Sequence, residues 1–467
     1  MINFIKEAET EYDVGSITLE GTQIWPILRI PYCFKYRECY NFDASNQSRS
    51  KGTLAKLKRA RNVVYGIDSL FRKYDYLVFS DTLERRLVDG KYIDKTAEFL
   101  MSELGKERVC LIENPVNGLH FKRSKVLIRN LVSLDLFGIF CYFPLPRKKP
   151  VIGGEAILEE INKKYQLNVN YRMLISKFIC YKSLFKLFLK IYKPKAIIVN
   201  CYYSLIHQTA IYAAKKMSIK TIELQHGVID KNEPAYNLFC RLDRSFFPDY
   251  LLCFGDYIKN VFSGDNYFIS PGNVFAVGSG YIEYINKFYR GNDDLLSTIQ
   301  KYERSVAITS QWTIENKLID FIKEAAIKSR NILYIFIPRD PNKDYSNINF
   351  PPNVMIFKDL DFYKIVKYVD FHSAVNSTCA LEAPILGTPN ILINIDNLAK
   401  IRYADILNDE EVTRFVNSKD EFVETVMNWN RKDSSEVKRR HPEFYKQNYA
   451  ENIRIALSEI FGSDLSY

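Results

Sequence analysis

The sequence predicts an α/β protein made of two Rossmann-like halves in tandem. Two observations carry this. Short apolar strands alternate with helical segments along most of the chain, the signature of parallel sheets assembled from βαβ units. The chain has 467 residues, roughly three times a typical ~150-residue domain, so two cores are expected rather than one. A composition of 47% hydrophobic and 26% charged residues supports a folded, globular protein.

The elements follow in order. "YDYLVFS" (74–80) reads as a strand, followed by a polar loop and the helix-like "DKTAEFLMSELG"; "RVCLIEN" (108–114) is the next strand. "KAIIVNCYY" (195–203), the helical "SLIHQTAIYAAKKMS" and "KTIELQHG" then form a βαβ unit. Near Pro248 a second series begins with "DYLLCFG", "NVFAVGSG" and "RSVAITSQ", continues through the helix "ENKLIDFIKEAAIKSR", and runs on to "ILYIFIPRD", "VMIFKD", "FHSAVNS" and "NILINI". These boundaries predict a first domain over 1–245, a second over 246–435 and a closing helix within 436–467.

Composition narrows the function. A formal charge of +10, from 65 basic and 55 acidic residues, favours anionic partners. The lysines are scattered and no helix-turn-helix, RRM or zinc-finger spacing occurs, so nucleic acid is not an expected partner. Nine cysteines without a CxxC pair or zinc spacing suit reduced thiols. The start "MINFIKEAETEYD" lacks the basic and apolar regions of a signal peptide, and no apolar run reaches the ~20 residues of a spanning helix. The expectation is a cytoplasmic protein. One stretch, "YRMLISKFICYKSLFKLFLKIYKPK", is basic, aromatic and amphipathic. It suits a core-facing helix with solvated lysines or one lying at a membrane interface.

Residues that could carry chemistry sit at predicted strand ends. In "YVDFHSAVNSTCALEAPILGTPNILINI" (368–395), Asn376, Ser377 and Thr378 stand between a strand and an apolar helix, where unpaired amides and hydroxyls suit a phosphate. Glu382, one turn on, can accept from both ribose hydroxyls; an ordinary N-capped helix between buried strands fits the same spacing. His226 ends an apolar run between Gln225 and Gly227. At a strand's carboxyl end its imidazole can take a hydroxyl proton or, protonated, stabilise a leaving phosphate, with Gln225 orienting a sugar hydroxyl. Asp81, at the end of "YLVFSD", is the other candidate base. Arg85 and Arg86 follow it on the loop, as acceptor-side phosphate partners or as a surface ion-pair cluster. Asp94 and Glu113 are weaker choices, and His120, His207 and His372 are left out of the chemistry. Gly278 and Ser279 after "NVFAV", and Gln311 after "VAIT", add plausible donor contacts in the second half. No Asp-x-Asp pair follows a suitable strand, so no catalytic metal and no cofactor is expected.

The run Ser377-Thr378-x-x-x-Glu382-x-x-x-x-Gly387-x-Pro389 resembles the donor-nucleotide segment of GT-B glycosyltransferases. The resemblance implies two Rossmann-like domains facing a cleft, Ser377 and Thr378 on a donor phosphate and Glu382 on the ribose. "FSDTLERRLVDGKYIDK", "LIENPVNGLH" and "KTIELQHGVI" are similar to bacterial capsule and O-antigen transferases carrying an ELQHG motif. That implies sugar transfer from a nucleotide-sugar to a glycan acceptor, lipid-linked at the inner face of the membrane. Two departures stand out. Where many such enzymes have His-Pro, this chain has Pro338-Arg339-Asp340, so Arg339 takes the place of a phosphate-binding histidine. A second histidine expected after "QHG" is replaced by "DKNEPAY". A CDP-polyol phosphotransferase of the teichoic-acid type, a non-catalytic glycan- or nucleotide-binding protein of the same fold, and a two-Rossmann epimerase remain alternatives.

Overall fold

The computed structural model describes residues 1–40, 61–118, 120–142, 150–262, 267–311, 313–339, 343–357, 360–440 and 442–462. Contacts divide the chain into two units, Met1–Gly280 with Lys446–Tyr467, and Tyr281–Tyr445.

The first unit opens with a small antiparallel sheet of β1 (Thr18–Leu19), β2 (Thr22–Gln23) and β8 (Ile152–Gly153). Its main sheet contains β3 (Tyr76–Asp81), β6 (Val109–Asn114), β7 (Leu131–Ser133), β9 (Ala196–Val199), β10 (Lys220–Leu224), β11 (Tyr250–Cys253) and β12 (Val274–Ala276). All pairings are parallel and the order is β12-β11-β10-β9-β3-β6-β7. Parallel strands buried on both faces read as nearly unbroken apolar runs, and the two faces separate by alternation. Leu77, Phe79, Cys110 and Ile112 enter one core, with Phe178, Phe185 and Leu189 of the long helix Tyr171–Tyr192. Tyr76, Val78, Val109 and Leu111 enter the other, covered by Ile453, Leu457 and Ile460 of the terminal helix Tyr449–Phe461.

The stretch expected as a polar loop after Asp81 contains a two-stranded hairpin, β4 (Arg85–Val88) and β5 (Lys91–Asp94). Its turn residues Asp89 and Gly90 both have positive φ, 48° and 75°. That is a type I′ turn, and Asp-Gly is its preferred pair.

The second unit is a six-stranded sheet of β13 (Arg304–Thr309), β14 (Ile332–Ile337), β15 (Val354–Met355), β16 (Phe371–Ser373), β17 (Asn390–Ile393) and β18 (Thr413–Val416). The order is β15-β14-β13-β16-β17-β18, again all parallel.

The predicted boundaries differ from these units. Residues 246–280 were expected in the second domain, but β11 pairs with β10 and β12 with β11, extending the first sheet. The division therefore falls after Gly280 rather than at residue 245. The terminal helix belongs to the first unit because its apolar face fills the second core of that sheet.

Candidate functional site

In an open parallel sheet, ligands bind at the carboxyl ends of the strands where strand order reverses. In the first unit the chain runs from β3 outward through β6 and β7, then returns to lay β9 through β12 on the other side. The reversal lies between β3 and β9. Asp81 ends the first and Asn200 follows the second. In the second unit the reversal lies between β13 and β16, which deliver Gln311 and Asn376.

Around the first reversal the groups are titratable. The Asp81 carboxylate accepts from the Leu83 amide at 2.8 Å and caps the short turn Thr82–Glu84. Burial, reinforced by Glu84 and Asp94, raises its pKa to about 6. Burial works against the charge on Glu84 too, but there Lys95, Arg86 and the Thr96 hydroxyl at 2.7 Å outweigh it and hold the acid at about 2. Glu84 therefore stays anionic and discourages ionisation of Asp81. Asn200 Nδ2 lies 3.4 Å from Ser80 Oγ, while its buried carbonyl oxygen has no hydrogen-bond partner in the described structure.

His226 follows β10. Its Nε2 is 3.0 Å from the Tyr203 hydroxyl and its Nδ1 is buried without a partner. Burial lowers its pKa to about 4, with the Glu84 carboxylate pulling the other way. The ring is neutral at neutral pH, with one nitrogen anchored and the other unsatisfied. A resting imidazolium, one of the two roles open to it from sequence, does not fit this environment.

Three expectations change here. Gln225 was to orient a sugar hydroxyl, but its amide bridges two strand ends: Nε2 donates to the Gly227 carbonyl at 2.9 Å and Oε1 accepts from the Phe254 amide at 2.8 Å. Both ends are spent on backbone. Arg85 was placed on a loop as an acceptor contact, yet it is buried on β4 with Nε 2.7 Å from Glu113 and Nη1 3.6 Å from Glu98. Glu113 continues to His120 at 2.8 Å, and His120 to Ser133 at 2.8 Å, with Tyr65 stacked on the imidazole. A buried guanidinium needs such partners, which is why this arginine turns inward. Arg86, next in the strand, donates to the carbonyls of Leu83 and Arg85. Gly278 (φ 84°) and Ser279 follow β12, so they stand on the first unit and not on the second.

At the reversal of the second unit the strand ends carry neutral groups, with the carboxylates of Glu315 and Glu382 behind them. Gln311 Nε2 donates to the Asn376 carbonyl at 2.9 Å, spanning the gap between β13 and β16. The side-chain oxygens of Gln311 and Asn376 are both buried and unpartnered. Ser377 Oγ accepts weakly from the Cys379 amide at 3.4 Å, and Thr378 makes no side-chain cap. The helix behind them is only Cys379–Ile385, so its dipole is small and hydroxyls and amides must carry most of any ligand binding. Glu382 is buried and accepts from the Tyr363 hydroxyl at 2.9 Å through Oε1. Arg339 is exposed beyond β14, and Asp340 beside it lies outside the described residues. His372 sits inside β16, bonded to Thr309 and Asn390, and His207 is buried against the Cys201 carbonyl.

Sequence reasoning missed Glu84, Tyr203 and Asn200. Asn200 had a signal, as the polar residue ending "KAIIVN"; Tyr203 had none, since only the fold brings it to His226.

No protein-family model and no curated relative matches the chain. Solved structures do match its fold. S. aureus MnaA in complex with UDP superposes with a TM-score of 0.52 at 10% identity, covering 85% of this chain and 98% of that one. UDP-GlcNAc 2-epimerase from Methanocaldococcus jannaschii gives 0.49 at 14% identity, over 83% and 99%. The glycotransferase of kitacinnamycin gives 0.44 at 10%, over 83% and 95%. The fold is of GT-B type, with two tandem Rossmann-like domains.

Proposed function

We propose that this chain acts on a nucleotide-sugar and transfers the sugar to a hydroxyl of a bacterial surface glycan, lipid-linked while it grows. The observation that carries the reading is the contrast between the two strand-order reversals. The strand ends of one carry titratable groups; those of the other carry neutral amides and hydroxyls, with the Glu382 carboxylate behind them, which suit a nucleotide. The likeness to a UDP-bound structure favours a uridine nucleotide. In this reading the second unit binds the donor through Ser377, Thr378, Gln311 and Glu382, with Arg339 as phosphate partner. Asp81 takes the proton of the acceptor hydroxyl. That oxygen bonds to the anomeric carbon as the bond to the donor phosphate breaks, and the nucleotide leaves with the electron pair. His226, neutral and anchored by Tyr203, holds the acceptor through Nδ1.

Epimerisation of the sugar on its nucleotide is a second reading. It is favoured by the Asp81 carboxyl, which burial poises at about 6 to take and return a proton.

Calorimetric titration of UDP, GDP, CMP and CDP into wild type and Glu382→Ala tests the donor site. One nucleotide should bind, and the variant should lose roughly tenfold in affinity, about 1.4 kcal/mol. No binding at millimolar concentration would sink the nucleotide reading. Turnover of the matching nucleotide-sugar in heavy water then separates the two reactions: transfer needs an acceptor and leaves carbon-bound hydrogens alone, whereas epimerisation incorporates deuterium without one.

A further inference from the structure

The long helix Tyr171–Tyr192 buries one side in the first core through Phe178, Phe185 and Leu189. Its outer side is unusual in two respects. Leu187 and Ile191, one turn apart, are 60% and 61% exposed. Lys186 and Lys190, also one turn apart and exposed, run beside them, and exposed Lys193 closes the helix. The helix contains no acidic residue. Of its other basic residues, Arg172 pairs with Glu155 and Lys182 with Glu20.

A second segment reaches the same end of the helix. The Tyr192 hydroxyl donates to the Leu70 carbonyl, which ties the segment carrying Phe71, 86% exposed, to the carboxyl-terminal turn of the helix. Exposed Arg72 and Lys73 follow Phe71 directly. The nearby acid Asp68 is paired with Arg123 at 2.5 Å. The helix end and the segment tied to it expose an aromatic side chain, two aliphatic side chains and five cations from two parts of the chain: Lys186, Lys190, Lys193, Arg72 and Lys73.

We propose that this surface docks on an anionic lipid bilayer, with Phe71, Leu187 and Ile191 entering the interface and the cations over the headgroups. Apolar side chains beside lysines on a helix lying flat are what interfacial binding requires. Charge decides against a second copy of the chain, since a self-contact would set the same cations against each other. Among the described residues no helix is long and apolar enough to cross a membrane. The proposal stands independently of the nucleotide reading.

Sedimentation with vesicles of phosphatidylcholine mixed with phosphatidylglycerol tests it, against phosphatidylcholine alone. The wild type should sediment with the anionic vesicles only, and raised salt should release it. Phe71→Ser/Leu187→Ser/Ile191→Ser should weaken binding at least tenfold, and Lys186→Glu/Lys190→Glu by a similar factor. All five residues are exposed, so both variants should keep the wild-type melting temperature. Failure of the wild type to bind anionic vesicles at low salt would overturn the proposal, as would binding that neither variant weakens. A dimer that the triple serine variant dissolves would assign the surface to a second copy instead.

Discussion

The two units share one topology, a parallel sheet whose strand order reverses beside its first strand, yet they equip the reversal differently. In the first unit Asp81, Glu84, Asp94 and His226 cluster there, and their environments push them apart: Glu84 to about 2, His226 to about 4 and Asp81 to about 6. In the second unit Gln311, Asn376, Ser377 and Thr378 change no charge at any ordinary pH. Separated pKa values are one way a protein assigns proton-transfer roles, while each buried amide oxygen without a partner costs about 1–3 kcal/mol that a donor group would relieve. The same strand order thus carries different side-chain chemistry in the two units.

The largest expected effect breaks this comparison at Asp81. Asp81→Asn should slow turnover by roughly 100- to 10,000-fold, the usual contribution of a general base, and leave nucleotide affinity unchanged in the calorimeter. A parallel loss of affinity would mean that the two reversals do not divide the work. The same variant has a pH signature. Asp81 binds its proton more tightly folded than unfolded, so its contribution to stability is present below its ordinary value of 3.8 and is lost as pH rises through about 6. Asp81→Asn should therefore melt higher than wild type above pH 6, with the difference vanishing toward the acid side. Activity should rise over the same window as the carboxylate forms.

Arg85 comes next and sharpens the contrast between structural and chemical charge. Arg85→Ala strands Glu113 and Glu98 in the core and should cost about 3–5 kcal/mol in denaturant unfolding. If the variant were as stable as wild type and impaired only toward acceptor, the arginine would go back to substrate contact. The smallest effect concerns the hairpin carrying Arg85. A Cβ on Gly90 meets nothing within 4 Å, so Gly90→Ala is penalised only by its φ of 75°. The cost should be about 1 kcal/mol, seen as a modest drop in melting temperature. A larger loss would show that the hairpin turn is packed against something.

Much of this was legible along the chain. The apolar runs of β3, β6, β9, β10, β13, β14, β16 and β17 lie within strands read from the sequence, because buried parallel strands advertise themselves by unbroken hydrophobicity. The hairpin was legible too, in Val88-Asp89-Gly90-Lys91, but its polar, half-exposed strands hid it. Gln225 and Arg85 misled for a common reason: a polar residue beside a strand end looks the same whether it faces a ligand or satisfies the protein's own backbone and carboxylates. The boundary between units was misplaced because β11 and β12 are as apolar as their neighbours, and nothing local says which sheet edge will receive them.

The sequence by itself determined the fold class, the strand ends at which His226, Asp81, Gln311 and Ser377 emerge, and the basic amphipathic character of helix Tyr171–Tyr192. These are properties of periodicity and composition, read within a few turns of chain. Only the tertiary structure decided that strand order reverses beside Asp81 and Gln311, that Tyr203 anchors His226, that burial raises the Asp81 pKa, and that Tyr192 ties the segment of Phe71 to the end of that helix. Each depends on residues distant in sequence being brought within a few ångströms, where burial and charge alter proton affinity and adjacency creates a surface.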